Sequence, residues 1–191
     1  MTKLMTTQRK TVQRCIYCCA SRGSFSTKEH FFPEAVKWFR KSAEQNYAPA
    51  QHNLGVAYAF GEAVTQDEVE AVKWFQKAAA QNIAEAQYNL GASYCNGRGV
   101  AQDYAEAMHW YRKAAEQNYA QAQYVLGIAY TFGEAVPQDE VEAYKWTFLA
   151  AAQGLEDAKE AMTRLEDTIT REQIAEAQKL ARNFQSRETP R

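Results

Sequence analysis

Residues 109–118, HWYRKAAEQN, set His109, Trp110, Tyr111 and Arg112 in a row. A base, two aromatic walls and a guanidinium are the parts of an active site or of a ligand cage. Three other groupings could do chemistry. Cys15, Cys18 and Cys19 form a CxxCC cluster, and a CxxC pair can give two thiolates to zinc. A second pair is missing, and only His30 and Cys95 could complete the set, so no metal site is assigned. Asp67, Asp103 and Asp139 each stand three residues before a glutamate, Glu70, Glu106 and Glu142, in the manner of paired catalytic carboxylates. The NGRG of 96–99 suggests a phosphate cradle but lacks a following Gly or Lys. HExxH, GxSxG, a Walker loop and Ser-x-x-Lys do not occur. No catalytic residue and no cofactor is assigned.

The elements that carry these residues repeat. Trp38, Trp74, Trp110 and Trp146 are evenly spaced, 36 residues apart. Leu54, Leu90 and Leu126 keep the interval, each followed by glycine, as do Tyr58, Tyr94 and Tyr130. Aligned without gaps, 48–83, 84–119 and 120–155 agree in 16 of 36 columns.

Each unit reads as two helices. The first, near 48–60 (APAQHNLGVAYAF), places Ala50, Leu54, Ala57 and Tyr58 at helical spacing. The second opens at the Asp–Glu pair, an N-cap acceptor with a glutamate reaching back, at the positive end of the helix dipole. It stops at Asn46, Asn82, Asn118 or Gly154, residues that tolerate the left-handed conformation past a helix end. Threefold recurrence at helix starts makes the acid pairs caps rather than catalysts. Gly55, Gly91 and Gly127 fall in mid-helix, where glycine costs about 1 kcal/mol against alanine, so the partner helix must approach closely there.

The run A-x-A-Q-x-x-L-G-x-x-Y-x-x-G, then G-V-x-Q-D, then E-A-x-x-W-Y-R-K-A-A-E-Q resembles the Sel-one-like repeat family, a branch of the tetratricopeptide-like superfamily. The resemblance spans 33–155 and is most faithful in the middle unit, NGRGVAQD (96–103). It implies an all-α fold, a right-handed superhelical α/α solenoid of 36-residue hairpins. It also implies scaffold or adaptor work on protein partners, without catalysis. Some relatives have been linked to β-lactam binding, but this chain lacks the Ser-x-x-Lys that would carry it. Other relatives staple their hairpins with two cysteines per repeat. Only Cys95 lies inside a repeat here, so that framework cannot form. Ala63 and Ala135 replace Gly99 in the outer loops, which are expected to differ slightly from the middle one.

The expected organisation is a flexible, non-repeat basic tail over 1–32, a half unit at 33–47, full units at 48–83, 84–119 and 120–155, and degenerate capping helices over 156–191. The first helix of a preceding unit should fall near 12–24, yet Cys18, Cys19 and Arg22 stand where Leu, Gly and Tyr belong. Thr170 with Gln173 makes a capping box for a final helix near 171–184, whose Ile174, Ala177, Leu180, Ala181 and Phe184 would close the last apolar face.

Charge bounds the partners. Residues 1–32 carry six Lys/Arg and one Glu; against −1 overall, the rest is −6, a poor nucleic-acid binder. No apolar run approaches the roughly 18 residues of a membrane span. CIYCCA (15–20) is too short for a signal-peptide core, which favours the cytoplasm, although the acid-free head also suits a transit peptide. The expected partner is a protein or peptide held in a concave, neutral, aromatic-lined groove of first helices. Its lining is His52, Asn53, Val56, Phe60, Tyr88, Asn89, Asn96, Tyr124, Ile128 and Phe132. The alternative is a self-associating array, completed by another chain at the apolar 33–46 edge.

Overall fold

The computed structural model describes residues 33–188. The CxxCC cluster, His30 and the expected tail and transit readings of 1–32 lie outside the described residues. Nine helices make up the described chain, and none of its residues forms a strand. They are α1 (Pro33–Glu44), α2 (Ala48–Phe60), α3 (Glu68–Ala80), α4 (Ala84–Asn96), α5 (Tyr104–Glu116), α6 (Ala120–Phe132), α7 (Glu140–Ala152), α8 (Glu156–Glu166) and α9 (Arg171–Glu188). The fold is an all-α array of helical hairpins, of the α/α solenoid class. No described helix is long and apolar enough to cross a membrane. The described residues divide into two compact units, one holding α1–α5 up to Gln117, the other α6–α9 from Asn118.

In the first unit the repeated punctuation does its expected work with one change. The Asp67 carboxylate accepts from the Glu70 N–H at 2.9 Å, and Asp103 accepts from the amides of Ala105 and Glu106. The glutamates do not reach back. The cap residue's own N–H is already used: Asp67 donates to the Tyr58 carbonyl at 2.9 Å and Asp103 to that of Tyr94 at 3.0 Å. Glu70 takes Lys73 instead. Each cap therefore also ties its loop to the end of the preceding helix. Asn46 and Asn82 both adopt φ of 66°. The N–H of Tyr47 returns to the Ser42 carbonyl, satisfying a helix end.

Close approach explains the mid-helix glycines. A Cβ on Gly55 would stand 2.7 Å from the Phe75 ring, and one on Gly91 2.9 Å from Tyr111. Both rings follow the repeated tryptophan, so each second helix presses an aromatic ring onto the bare backbone of the first. The loops correct an expectation. Ala63 (φ 58°) and Gly99 (φ 70°) share the left-handed conformation, so alanine accepts the glycine geometry and the two loops match in it. Gly99 has a second constraint: a Cβ there would overlap the Glu68 carbonyl.

A glutamine staple joins consecutive hairpins. Gln51 is almost wholly buried; its Nε2 donates to the Ala43 carbonyl and to Asn46 Oδ1, and its Oε1 accepts from Gln81 Nε2 at 2.7 Å. Gln87 repeats this on Ala79, Asn82 and Gln117. A buried amide thus has its donors and its acceptor satisfied in a core that would otherwise penalise it. One staple links the stop of one hairpin to both helices of the next.

The second unit repeats these devices and adds a closure. Asp139 caps α7 through the amides of Val141 and Glu142, and its N–H donates to Tyr130. Asn118 (φ 62°), Gln123 and Gln153 form the staple. Ala135 takes the same loop conformation, φ 60°. A Cβ on Gly127 would overlap the Thr147 hydroxyl. Thr170 and Gln173 form the reciprocal capping box at 3.3 and 2.8 Å. Helix α9 runs four residues beyond the expected end and lies on α7. Its Ala177 and Ala181 are buried, and Phe184 meets Trp146 edge-on at 5.5 Å. Leu180, expected on the closing face, is instead exposed. Tyr144 donates to Glu166 Oε1 at 2.7 Å; burial, more than this bond, pushes its phenol up to about 12.

Candidate partner-binding faces

The residues that looked like an active site do not converge. His109 is exposed and meets only the edge of Trp110, at 5.3 Å. Tyr111 is fully buried beneath Gly91. Trp110 is half-buried against a cluster that includes Val72, Ala79 and Leu90, between hairpins, with the Lys113 ammonium over its ring. Arg112 points to solvent-exposed surface. The row lies on one helix of the array, each residue facing a different way.

The first helices separate the expected lining into three groups. In the first unit Phe60 is exposed by 51%, while His52, Asn53, Asn89 and Asn96 are half-buried and Val56 and Tyr88 are buried. In the second unit Phe132 is exposed by 45%, Ile128 is half-buried and Tyr124 is buried beside Ala150, Ala151 and Ala158. Tyr88 and Tyr124, expected as an exposed aromatic ladder, are core residues. For Tyr88 the reason is the position of α4, which packs on both α3 and α5; its ring lies 5.5 Å from that of Tyr111. A helix with two helical neighbours buries more than one stripe, so the face opposite Leu90 is not a free face.

Polar order underlies the exposed part of the first unit. Asn89 Nδ2 lies 3.0 Å from His52 Nε2, and the imidazole lies 6.1 Å from the Phe75 ring. Burial holds the His52 pKa below its ordinary value, against a smaller opposing pull from Glu85. The neutral ring accepts at Nε2 from the Asn89 amide, which fixes Asn89 in place.

Between the end of α2, the start of α3 and the second half of α4 lies a small open hollow. Phe60, Phe75, Asn89 and Asn96 line it, with the exposed Glu68 and Arg98. It holds about 70 Å³, far below the roughly 300–1,000 Å³ of small-molecule sites. Three expected residues, Phe60, Asn89 and Asn96, meet here; Glu68, Ser93 and Arg98 were missed. A signal for two of these lay in the repeat columns. Ser93 stands where the outer repeats have Ala57 and Ala129, and Arg98 where they have Glu62 and Glu134. Asn96 likewise replaces Phe60 and Phe132.

The Sel1 repeat model matches residues 32–47, 48–83, 84–119 and 120–155. Two solved structures are similar to the chain. One is c5321, a protective antigen present in uropathogenic Escherichia coli strains displaying an SLR fold. It is 39% identical at TM-score 0.64, over 82% of this chain and 33% of its own. The other is a Sel1 repeat protein from Oxalobacter formigenes, 38% identical at TM-score 0.64, over 68% of this chain and 52% of its own. The chain thus spans a third to a half of these relatives. No curated protein matches it.

Proposed function

The chain belongs to the Sel1 repeat family, whose members are generally protein-interaction scaffolds and typically non-catalytic, and from that premise we propose that it is an adaptor binding a protein or peptide through the first-helix faces of its hairpins. The observation that carries this reading is the exposure of one aromatic register. Phe60 and Phe132 occupy the last position of α2 and α6, and each is about half exposed. A large apolar side chain left in water at the same register of two repeats is what a partner segment would cover. The surrounding lining is largely neutral and amide-rich, which suits backbone and apolar contacts better than capture of a strongly charged terminus.

The test is affinity purification with the wild-type protein beside a Phe60→Ala, Phe132→Ala variant of unchanged helicity. Partners enriched by the wild type should fall at least tenfold in the variant. Equal enrichment overturns the assignment of the face.

A second reading has its own observation. Trp38 on α1 is exposed by 67%, whereas Trp74 and Trp146 are buried. Self-association through the 33–46 edge would cover it. Light scattering of wild type and Trp38→Ala separates the two readings: a mass that falls in the variant supports the edge contact.

A further inference from the structure

We infer that α1 is a docking edge for a single helix supplied by another chain, the first helix of a repeat hairpin with the pattern Asn-x-x-x-x-Gln-x-x-Leu-Gly-x-x-Tyr. The inference rests on the reading of 33–46 as a contact edge and names what fits there.

The first observation is what a second helix takes from its first. In the α2–α3 hairpin Leu54 shares one apolar cluster with Trp74, the backbone of Gly55 lies under the Phe75 ring, and Gln51 Oε1 accepts from Gln81 Nε2. The α4–α5 hairpin repeats the last two contacts, Gly91 under Tyr111 and Gln87 with Gln117. Helix α1 keeps the second-helix half of this joint: Trp38, Phe39 and Gln45 stand in the columns of Trp74, Phe75 and Gln81. Among the described residues no helix precedes α1 to supply the other half. Its surface shows the loss. Trp38 is exposed by 67% where Trp74 is exposed by 8%. Phe39 and Ser42 are half-buried where Phe75 and Ala78 are buried.

The second observation is which helix can fill the place. The chain's own residues in the columns of Asn46, Gln51, Leu54, Gly55 and Tyr58 are Lys10, Cys15, Cys18, Cys19 and Arg22, and 1–32 contains no asparagine. A side chain in the glycine's place would meet Phe39 as a Cβ on Gly55 would meet Phe75, at 2.7 Å. Lysine and cysteine cannot give the amide oxygens that Gln81 takes from Asn46 and Gln51. A second copy does no better. Its α2, α4 and α6 carry the pattern, but each is already closed on α3, α5 and α7. Its α8, also at a first-helix position, has Gly154, Lys159, Met162, Thr163 and Glu166 in the five columns. The occupant is therefore a first helix left unpaired in another chain's array.

The third observation is continuity. Seated on α1, such a helix extends the array by the joint that already links its hairpins. Its leucine covers Trp38, its glycine receives the Phe39 ring, and its glutamine accepts from Gln45. A stacked hairpin array buries its apolar faces only against neighbours, and an amphipathic helix laid in an open groove is a common mode of peptide capture.

The experiment titrates the full chain into a fluorescein-labelled peptide of its own residues 46–60, NYAPAQHNLGVAYAF, read by fluorescence anisotropy. The peptide should bind saturably. Gly55→Phe in the peptide should weaken binding at least tenfold, and Gln51→Leu at least threefold. The exposed Trp38→Ala in the chain should weaken it at least fivefold with helicity unchanged. The inference is overturned by no saturable binding, by equal binding of the Gly55→Phe peptide, or by full-strength binding to Trp38→Ala. Light scattering of the chain alone separates the remaining case. A dimer whose mass falls in Trp38→Ala seats a second copy on α1, which overturns the foreign helix and leaves the edge reading standing. Failed peptide binding by a monomer ends both, and partner capture through Phe60 and Phe132 keeps its own test.

Discussion

Three residues show how local chemistry sets stability. Gly99 has a positive φ and no room for a Cβ beside the Glu68 carbonyl, whereas Ala63 has only the φ cost. Gly99→Ala should therefore destabilise by about 1–3 kcal/mol, more than the conformational term alone. Ala63→Gly should change stability by less than about 1 kcal/mol, in the stabilising direction. Urea midpoints of the two variants check the contrast. His52 gives a pH dependence. Its pKa is 6.5 when unfolded and lower when folded, so below pH 6.5 the unfolded chain holds a proton that the folded chain does not. Stability from this group is present above about pH 6.5 and lost as the pH falls through the depressed folded value. Urea midpoints between pH 7 and pH 5 should fall more steeply in the wild type than in His52→Gln.

At the scale of the element, the repeated tyrosine, aspartate, asparagine and glutamine positions close each hairpin on itself and on its neighbour. Gln87 is the joint most easily tested. Replacing it with leucine keeps the volume but strands Gln117 Nε2 and Asn82 Oδ1, which it now satisfies. The expected cost is about 1–3 kcal/mol, and Asn82→Ala in the same background should add less than it does alone. Chemical denaturation of the double-mutant cycle gives both numbers. The helices themselves were legible in the sequence because cap, glycine and stop recur at one interval: α2 begins and ends where the periodicity of 48–60 puts it. The glutamine staple was visible as identical columns but not interpretable, since a polar residue in a repeat reads as surface until its depth is known. The glutamate arm of the cap failed for a related reason. Sequence shows that Glu70 can reach back, not that Tyr58 has already taken the amide it would bind.

For the molecule as a whole, the helical repeats were legible in the register and the family in the motif the repeats share, while the accessibility of the face proposed for binding was not. Periodicity assigns one buried stripe per helix. It cannot show that α4 packs on two neighbours, so Tyr88 was placed outside when it lies within. The part of the lining that survives as accessible surface sits at helix ends, Phe60 and Phe132, where fewer neighbours crowd the chain. Closure of the second unit carries its own expectation. Removing residues 171–191 strips Phe184 from Trp146 and the cover from Tyr144 and Ile169. The truncated protein should show red-shifted tryptophan emission and lose about 3–5 kcal/mol in that unit, read from its urea transition.

The staple has a bearing on how such a chain can grow or shrink. Each joint uses an asparagine at the stop of one hairpin and two glutamines, 5 and 35 residues further along, in the next. Any in-frame segment of one repeat length taken from within residues 46–153 contains one copy of all three. Duplication of 36 codons therefore delivers a new hairpin together with the polar joinery that seats it, and excision removes both. Register, not the identity of any one repeat, is the quantity that inheritance has to preserve.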